Sequence, residues 1–396
     1  MADKFYFSRD TEVYLMMGVG TGANPSTAAH SWKIPVLDGF SFSQATNTSE
    51  ITLAEMANGS GNSRRSRQMF TDSYAPAEWS FQTYMRPFRA TEDASGGWEK
   101  NSDLIHHAVE EALWANFASA PTFTASVNDT SDAAWSAGVD NSTTNMVVDF
   151  VDSEKPALGT FDLFFEFGGA NGGSETYYRI KDCVVNSASI DFDIDGIATI
   201  TWSGFGSLIS DITALPTATN IITEAATGTS NFIRNRLTQL SVTAADTTTF
   251  PGNNSDGVYN MVLTGGNITM ENNITYLTPE TLGVVNQPLG HVTGTRSVSG
   301  NFTCYLNAGD AGGSADLFED LIEATDDVSN SFNTIFKIGG TSAPKVQIDL
   351  PQCHFEVPTH SIDDIISLET NFHALPASVD PSVAADFEAK ITYTGS

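Results

Sequence analysis

The chain has few basic residues, few cysteines and no long apolar stretch. Its 396 residues include 18 Lys and Arg against 48 Asp and Glu, a formal net charge of -30 at pH 7. A protein that grips nucleic acid or an anionic membrane through its charged head groups needs the opposite balance, so this composition disfavours both functions. It remains compatible with a surface along which DNA passes without adhering.

Three cysteines are too few, and odd in number, for a disulfide framework. Cys183 and Cys353 lie in apolar, strand-like sequence, which predicts small buried side chains. No segment approaches the roughly 20 apolar residues that a transmembrane helix needs. The first residues, MADKFYFSRDTEV, lack the apolar core of a signal peptide. We therefore expect a protein that is made in a cytoplasm and stays there.

The most informative feature that is present is an internal repeat. Cys183 and Trp202 match Cys353 and Phe372 at a spacing of 170 residues, and a Gly-Gly pair upstream of each cysteine matches at 171. A repeat of this length predicts two copies of one domain in a single chain. We place the first domain at 1–212, the linker at 213–229 and the second domain at 230–396.

Each copy reads as strand, long loop, strand, helix and then three strands. The helices are predicted at 103–117 and 315–324, with Ser102 and Ser314 as their N-caps. Asp195-Gly196 predicts a hairpin turn between two strands. The fold class is therefore mainly β, duplicated, with one α-helix in each copy.

Two segments break the symmetry of the repeat. The stretch at about 118–158 has only a short counterpart in the second copy, so we interpret it as an insertion, with a small hairpin between 122–127 and 145–151. The Thr- and Ala-rich stretch between the copies is interpreted as the linker.

The sequence predicts no catalytic, metal or cofactor site. His106 and Glu110 have helical spacing that could hold a metal, but the second copy has no histidine there, and a solvated helix face is favoured. Asp191, Asp193 and Asp195 alternate along a strand without a calcium-loop pattern, which favours a charged, solvent-facing surface.

The single basic cluster in this acidic chain lies in the Gly- and Ser-rich loop 58–67. Arg64, Arg65 and Arg67 form it, with Arg86 and Arg89 beyond it. Contact with nucleic acid and a simply solvated loop are both open interpretations. We favour contact with an acidic neighbouring subunit, because opposite charges on a loop suit directional stacking.

The repeated strand–loop–strand–helix–strand order, the long loop after the first strand and the acidic balance resemble those of bacteriophage tail tube proteins. The chain is most similar to members that carry two fused tube domains. The resemblance implies small β-sandwiches or partly closed barrels, each with a flanking helix. It also implies rings of six domains that stack into a tube around the DNA path, with the inner sheets joined into a barrel that lines the lumen.

Further expectations follow from this resemblance. Three two-domain chains would complete a ring, and the long loops would contact the next ring. We expect that contact to involve Arg64, Arg65 and Arg67 in the first copy. In the second copy, at 275–296, we expect it to involve Leu277, Leu282, Val284 and Val285. The chain would belong to the virion tail, be assembled in the host cytoplasm, and meet itself, sheath or tail terminator proteins, and the baseplate. The insertion would decorate the outer surface or contact a sheath.

Two other classes of function are left open. One is a different virion protein of related fold, such as a tail terminator, hub or decoration protein. The other is a carbohydrate-binding β-protein that uses some of the six tryptophans as stacking platforms. Trp32, Trp79 and Trp202 lie within strand patterns, however, and are predicted to be core residues.

Overall fold

The computed structural model describes most of the chain. The described residues are 6–52, 67–86, 90–92, 108–124, 134–141, 145–169, 173–224, 232–252, 256–282, 284–307, 312–324, 331–362, 364–376, 378 and 387–395. The fold is mainly β, as predicted, and this part of the chain contains two α-helices.

The first half of the chain forms fourteen strands and one helix. They are β1 (Tyr6–Met17), β2 (Thr27–Ile34), β3 (Ser41–Thr52), β4 (Arg67–Tyr84), β5 (Ala90–Glu92), α1 (Glu111–Ala118), β6 (Phe123–Thr124), β7 (Ala134–Trp135), β8 (Val139–Asn141), β9 (Asn145–Val151), β10 (Phe161–Gly169), β11 (Gly173–Asp193), β12 (Thr199–Gly206), β13 (Leu208–Ile212) and β14 (Thr217–Glu224).

The second half forms eleven strands and one helix. They are β15 (Gln239–Ala244), β16 (Val258–Asn260), β17 (Leu263–Glu271), β18 (Thr275–Leu277), β19 (Gly290–Val292), β20 (Ser297–Tyr305), α2 (Ser314–Glu323), β21 (Phe332–Ile338), β22 (Lys345–Phe355), β23 (Thr359–Ile362), β24 (Ile366–Ala374) and β25 (Phe387–Thr394).

Long strands cross between two layers of sheet that enclose the core. The first part of β11 pairs with β10 and β13, whereas its second part pairs with β12 and β17. In the second half, β22 pairs with β21 and β25 and then with β24. Every second residue of β12 is buried, including Ile200 and Trp202. This alternation is typical of a sheet with one face on the core and the other on solvent.

The two halves repeat the same strand pairing. Phe161 lies opposite Cys183 across β10 and β11, and Phe332 lies opposite Cys353 across β21 and β22. A register shift follows directly after each of these pairs, so even the irregularity occurs twice. Two copies of one domain would produce this match.

One polar contact also recurs between a strand and a helix. The Trp32 indole N–H on β2 donates to Glu111 Oε1 of α1 at 2.9 Å. The Tyr259 hydroxyl on β16 donates to Asp320 Oδ2 of α2 at 2.6 Å. In both halves an aromatic donor therefore ties the helix to the sheet through a carboxylate.

The first helix is shorter than predicted. It begins at Glu111, after a turn at 108–110, whereas residues 103–107 and the predicted cap Ser102 lie outside the described residues. All eight of its residues are buried. A helix buried on every side is stabilised by packing and not by one apolar stripe, so the amphipathic pattern misplaced its start.

The second helix lies one residue earlier than predicted. Gly313 occupies the N-cap position, and Ser314, the predicted cap, is the first helical residue. Its hydroxyl donates to the Tyr305 carbonyl at 2.7 Å instead of capping the helix. The serine therefore anchors the helix to the end of β20.

Part of the predicted linker is a strand of the first half. β14 pairs in parallel with β2 and antiparallel with β5. The stretch 217–224 is rich in Thr and Ile, whose branched side chains favour strands. Only 225–229 of the predicted linker lies outside the described residues.

The insertion joins the two halves. The predicted hairpin between 122–127 and 145–151 is wrong, because β6 pairs with β7 while β9 pairs with β8 and with β25. Residues 125–133 lie outside the described part of the chain. The main partner of β9 comes from the far end of the sequence, where local patterning could not reveal it.

A buried arginine reinforces this joint. Arg296 is 3% exposed and donates to Asn272 Oδ1 at 2.9 Å and to the Ala118 carbonyl at 3.0 Å, at the end of α1. On the same helix, the Trp114 indole N–H donates to the Tyr393 hydroxyl of β25 at 2.7 Å. The second half thus covers the helix of the first.

Candidate functional site

One face of the sheet is polar and continuous through both halves. Six neighbouring strand segments form it, in the order β4 (77–84), β12, β11 (187–193), β17, β20 and β24. The inward side chains of these segments, such as Trp202, Ile268 and Phe302, are buried in the core. We call the outward surface of the six segments the polar face.

Hydroxyl, amide and carboxylate groups cover the polar face. Its acidic side chains are Glu78, Asp191, Asp193, Glu271 and Glu369, and none of the six segments contains Lys or Arg. Binding to the DNA backbone depends on Lys and Arg that neutralise phosphates. These six segments therefore offer no Lys or Arg to hold DNA, and their carboxylates repel a polyanion.

The polar face crosses the boundary between the halves without a break. Residues 187–193 of β11 pair antiparallel with residues 265–271 of β17. Side chains continue this pairing, because Asn267 Nδ2 donates to Ser189 Oγ at 2.8 Å and also to the Asp191 carboxylate. The two halves thus share one sheet through both backbone and side-chain hydrogen bonds.

Two further strands flank the polar face, and each has one neighbour among the described strands. β3 pairs with β4 alone, and β23 pairs with β24 alone. All four residues of β23 are exposed, and Ile362 is 78% exposed. An exposed strand edge with apolar side chains is a ready template for pairing with another chain.

The predicted basic residues lie where β3 and β4 connect. Arg64 and Arg65 are outside the described residues. Arg67 begins β4, with its guanidinium 3.6 Å from the Glu50 carboxylate of β3 and most of its side chain in solvent. An exposed ion pair of this kind contributes roughly 0–1 kcal/mol, so it does not hold Arg67 away from a partner.

Arg86 does not belong to an exposed basic patch, contrary to the sequence interpretation. It is 7% exposed, and its guanidinium lies 4.7 Å from the centre of the Phe232 ring and 5.6 Å from that of Tyr84. Its charge is used in packing between strand β4 and the start of the second half. Arg89 lies outside the described residues.

The four predicted apolar residues lie on the loop that includes β18 and β19. Leu277, Leu282, Val284 and Val285 are all exposed, and the fraction reaches 99% at Leu282. The loop crosses to the first half, since the Asn286 backbone forms hydrogen bonds with Asp72 and Tyr74 of β4. The structure therefore places this loop against β4, the strand that begins at Arg67.

A cleft of about 390 Å³ lies beside the Gly18–Gly22 loop, but its chemistry is structural. The Arg179 guanidinium in its wall donates to Asp162 Oδ2 at 2.8 and 2.6 Å and to the Gly22 carbonyl at 3.0 Å. The arginine is thus already neutralised by a carboxylate. No group of three or more His, Cys, Asp or Glu within the described ranges is arranged to hold a metal.

The sequence alone did not identify the two open edges or the Arg296 joint. The repeat contained the necessary signal, because aligning the copies places 187–193 near 355–361. The first of these segments is paired on both sides and the second on one side. Among the described helices, none is long and apolar enough to cross a membrane.

Comparison with known proteins agrees with this geometry. Residues 43–394 match the family model described as phage tail tube protein. The chain is also 30% identical over 379 residues to the tail tube protein pb6 of Escherichia phage T5, which covers 94% of this chain and 73% of that protein. The chain therefore belongs to the phage tail tube protein family, and its role is that of a structural component of the virion tail.

Proposed function

We propose that three chains form a ring of six tube domains, and that these rings stack into a tube through which the phage DNA passes. Each chain would contribute two copies of the domain. Because β14 belongs to the first copy, the connection between the copies would be only about 225–231. The repeated pairing of Phe161 with Cys183 and of Phe332 with Cys353 supports the hypothesis that the chain contains two copies of one domain.

The single observation that carries the proposal is the junction between β11 and β17. It joins one copy to the next by seven antiparallel residue pairs, and among the described strands a free edge is left at each end of the chain's sheet. If the same junction forms between chains, β23 of one chain pairs with the start of β3 of the next. Repetition of one junction closes a ring when the rotation between neighbours divides the full circle evenly.

The two helices support the same arrangement. Every residue of α1 is buried, by β8, β9 and β11 of its own half and by second-half contacts such as that of Trp114 with Tyr393. In contrast, α2 buries only Ser314, Leu317 and Leu321. Ile322 on the outer side of α2 is 47% exposed. In a ring, the first half of the next chain would cover α2 as the second half covers α1.

The polar face would line the lumen of this ring. Six domains would then present carboxylates, hydroxyls and amides to the DNA, with no Lys or Arg from the six strand segments. DNA confined in such a channel is repelled by the wall, so it slides without being adsorbed.

The long loops would form the contact between stacked rings. Arg64, Arg65 and Arg67 would meet acidic side chains of the adjacent ring, and Leu277, Leu282, Val284 and Val285 would add apolar contacts. The exposure of the described members of this set supports the assignment. Individual ion pairs at such a rim contribute roughly 0–1 kcal/mol, but their repetition would set polarity and register.

The ring is tested by charging the open edge. Val357, just before β23, and Ile362, at its end, are both exposed and would be changed together to Lys. The control is Leu237→Lys, at an exposed apolar residue away from this edge. We expect wild type and control to form rings and tubes in negative-stain images. The edge variant should stay monomeric with an unchanged unfolding midpoint, because charge blunts an edge strand. Rings formed normally by the edge variant would refute the proposed junction.

The stacking contact is tested separately. Replacing Arg64, Arg65 and Arg67 together with Ser should slow or abolish tube growth while rings still form. An Arg236→Ser variant serves as the control, since Arg236 is an exposed arginine outside the loop. Unchanged growth rate and salt dependence in the triple variant would exclude an electrostatic role for the loop.

A further inference from the structure

The loop 275–292 of the second half is docked on the first half of the same chain. The Asn286 N–H donates to the Asp72 carbonyl at 3.1 Å, and the Tyr74 N–H donates to the Asn286 carbonyl at 2.9 Å. These bonds make Asn286 a short parallel extension of β4 at Ser73. We call this segment the second-half loop.

The docked loop covers apolar surface of the first half. Tyr276 packs in a small cluster with Val184, Leu158, Ile274 and Phe205. Its hydroxyl donates to the carbonyl of Asp182. Val184 is completely buried in this cluster although it lies beside the end of the polar face.

The equivalent surface of the second half is uncovered. Phe205 lies opposite Val184 across β12 and β11. In the second half Leu375 follows β24, and its N–H donates to the carbonyl of Gln352 on β22 at 2.8 Å. Leu375 is 48% exposed, and Val292, which corresponds to Ser73 when β4 is aligned with β20, is 53% exposed.

The element that would cover this surface is also present, but at the other end of the chain. The connection between β3 and β4 corresponds to the second-half loop, because it joins the equivalent pair of strands. Near the start of β4, Met69 is 62% exposed and Phe70 is 50% exposed. We call the segment 68–70 the hairpin flank.

We propose that the hairpin flank of one chain docks on the second half of the neighbouring chain in the same ring, beside Val292 and Leu375. This inference rests on the proposed ring, and its occupant is a second copy of this chain. The docking inside the chain is the template, since repeating it between chains pairs the exposed flank with the uncovered surface.

The consequence is a lateral contact in addition to the joined sheets. Within a chain, the second-half loop contacts the first half. Between chains, the hairpin flank would contact the second half of the neighbour, so the two kinds of contact would alternate around the ring. The hairpin flank therefore faces sideways, while the rest of the β3–β4 connection is left for the stacking contact. A ring would be closed by two separate sets of interactions.

Disulfide trapping tests this docking. Gln68, Met69 and Phe70 would each be changed to Cys in a chain that also carries Val292→Cys, and assembled rings would be mildly oxidised. The three natural cysteines are buried, so they do not compete. The control chain carries the same flank cysteine with Leu237→Cys in place of Val292→Cys.

Denaturing gels then separate the outcomes. We expect at least one of the three pairs, and none of the controls, to give covalent species that end at three chains, because contacts within a ring close on themselves. A ladder that continues past three chains would place the flank between rings and overturn the proposal. Visible rings without any crosslink would also overturn it but leave the ring proposal intact. Absence of rings would defeat both.

Discussion

Trp32 and Tyr259 occupy equivalent positions in the two halves and form the same kind of hydrogen bond, although the two residues differ. One side chain is an indole and the other a phenol, yet each donates from the sheet to a carboxylate on the helix of its own half. No identity search would pair these residues. The shared requirement is a large buried aromatic group with one polar atom at the correct distance from the helix.

Removing the Tyr259 hydroxyl should weaken the second half. Tyr259→Phe loses the 2.6 Å hydrogen bond to Asp320, which at a typical net value destabilises the fold by about 0.5–1.5 kcal/mol. Urea unfolding would measure this loss. Tyr305→Phe, at a residue 36% exposed, is the control and should stay within about 0.5 kcal/mol of wild type. Equal stability of both variants would show that the recurring contact contributes nothing.

The cysteines confirm the sequence interpretation as buried small side chains. Burial raises the pKa of the Cys304 thiol to about 11 and that of Cys353 to about 12, and burial raises the pKa of Cys183 well above its usual value. The thiolate is the reactive form of cysteine. All three thiols should therefore react slowly for two reasons: burial limits the access of reagents, and the raised pKa keeps the thiol protonated.

The folded protein should therefore resist thiol reagents. At pH 8 we expect no labelling by a maleimide in native buffer and three labels per chain in 6 M guanidinium, read by mass spectrometry. Fast labelling of any cysteine in native buffer would show that the strands around it open locally. The first site to react would identify the least stable element.

At the scale of elements, β11 organises the molecule. Its first part belongs to one layer and its second part to the other, and that second part joins the two halves through β17. The sequence predicted the strand and its turn at Asp195-Gly196, where Gly196 has a φ of +105°. It could not predict β17 as a neighbour, because pairing between distant segments leaves no local periodicity.

Elements with one-sided burial were predicted best. In β12 and β24, buried residues alternate with more exposed ones, which is the pattern from which the sequence predicted strands after each helix. Three strands were predicted after the second helix, however, whereas five of the described strands follow it, because the chain turns between β22, β23 and β24. The hairpin in the insertion was predicted wrongly because β9 pairs with β25 from the other half of the chain. The start of α1 was predicted wrongly because the helix is buried on every side and has no single apolar stripe.

Breaking the hydrogen bonds of Arg296 should lower the free energy of unfolding. Arg296→Met leaves the Ala118 carbonyl and the Asn272 amide oxygen without their donor in a buried site, which costs about 1–3 kcal/mol. Arg236→Met removes an exposed arginine and should change stability by less than about 0.5 kcal/mol. Guanidinium unfolding of both variants provides the comparison. A loss no larger in Arg296→Met than in the control would contradict a structural role for this joint.

At the scale of the whole molecule, the sequence indicated the repeat, the mainly β fold and the family. Each of these three predictions rests on patterns that can be seen in the amino-acid sequence of one chain. The polar face was foreseen only as charged strands around Asp191 and Asp193, because its full extent depends on the order of six segments from both halves. The contact residues Arg67 and Leu282 are exposed as a contact would require, and their role stays a prediction.

The two halves should remain together after the connection between them is cut. A protease site is placed within 225–231, and the folded protein is treated with the protease. The fragments should still co-elute in size-exclusion chromatography, because the β11–β17 and β9–β25 pairings hold them. Adding Arg296→Met should promote their separation. Fragments that separate at once in the otherwise unchanged protein would contradict the described interface.

The most direct measurement of the central claim is the mass of the smallest closed ring, obtained by native mass spectrometry. If the junction within the chain is also the junction between chains, that ring contains three chains and, by electron microscopy, six similar domains around its axis. A ring of six chains, or a chain that remains monomeric at every concentration and salt condition, would contradict it.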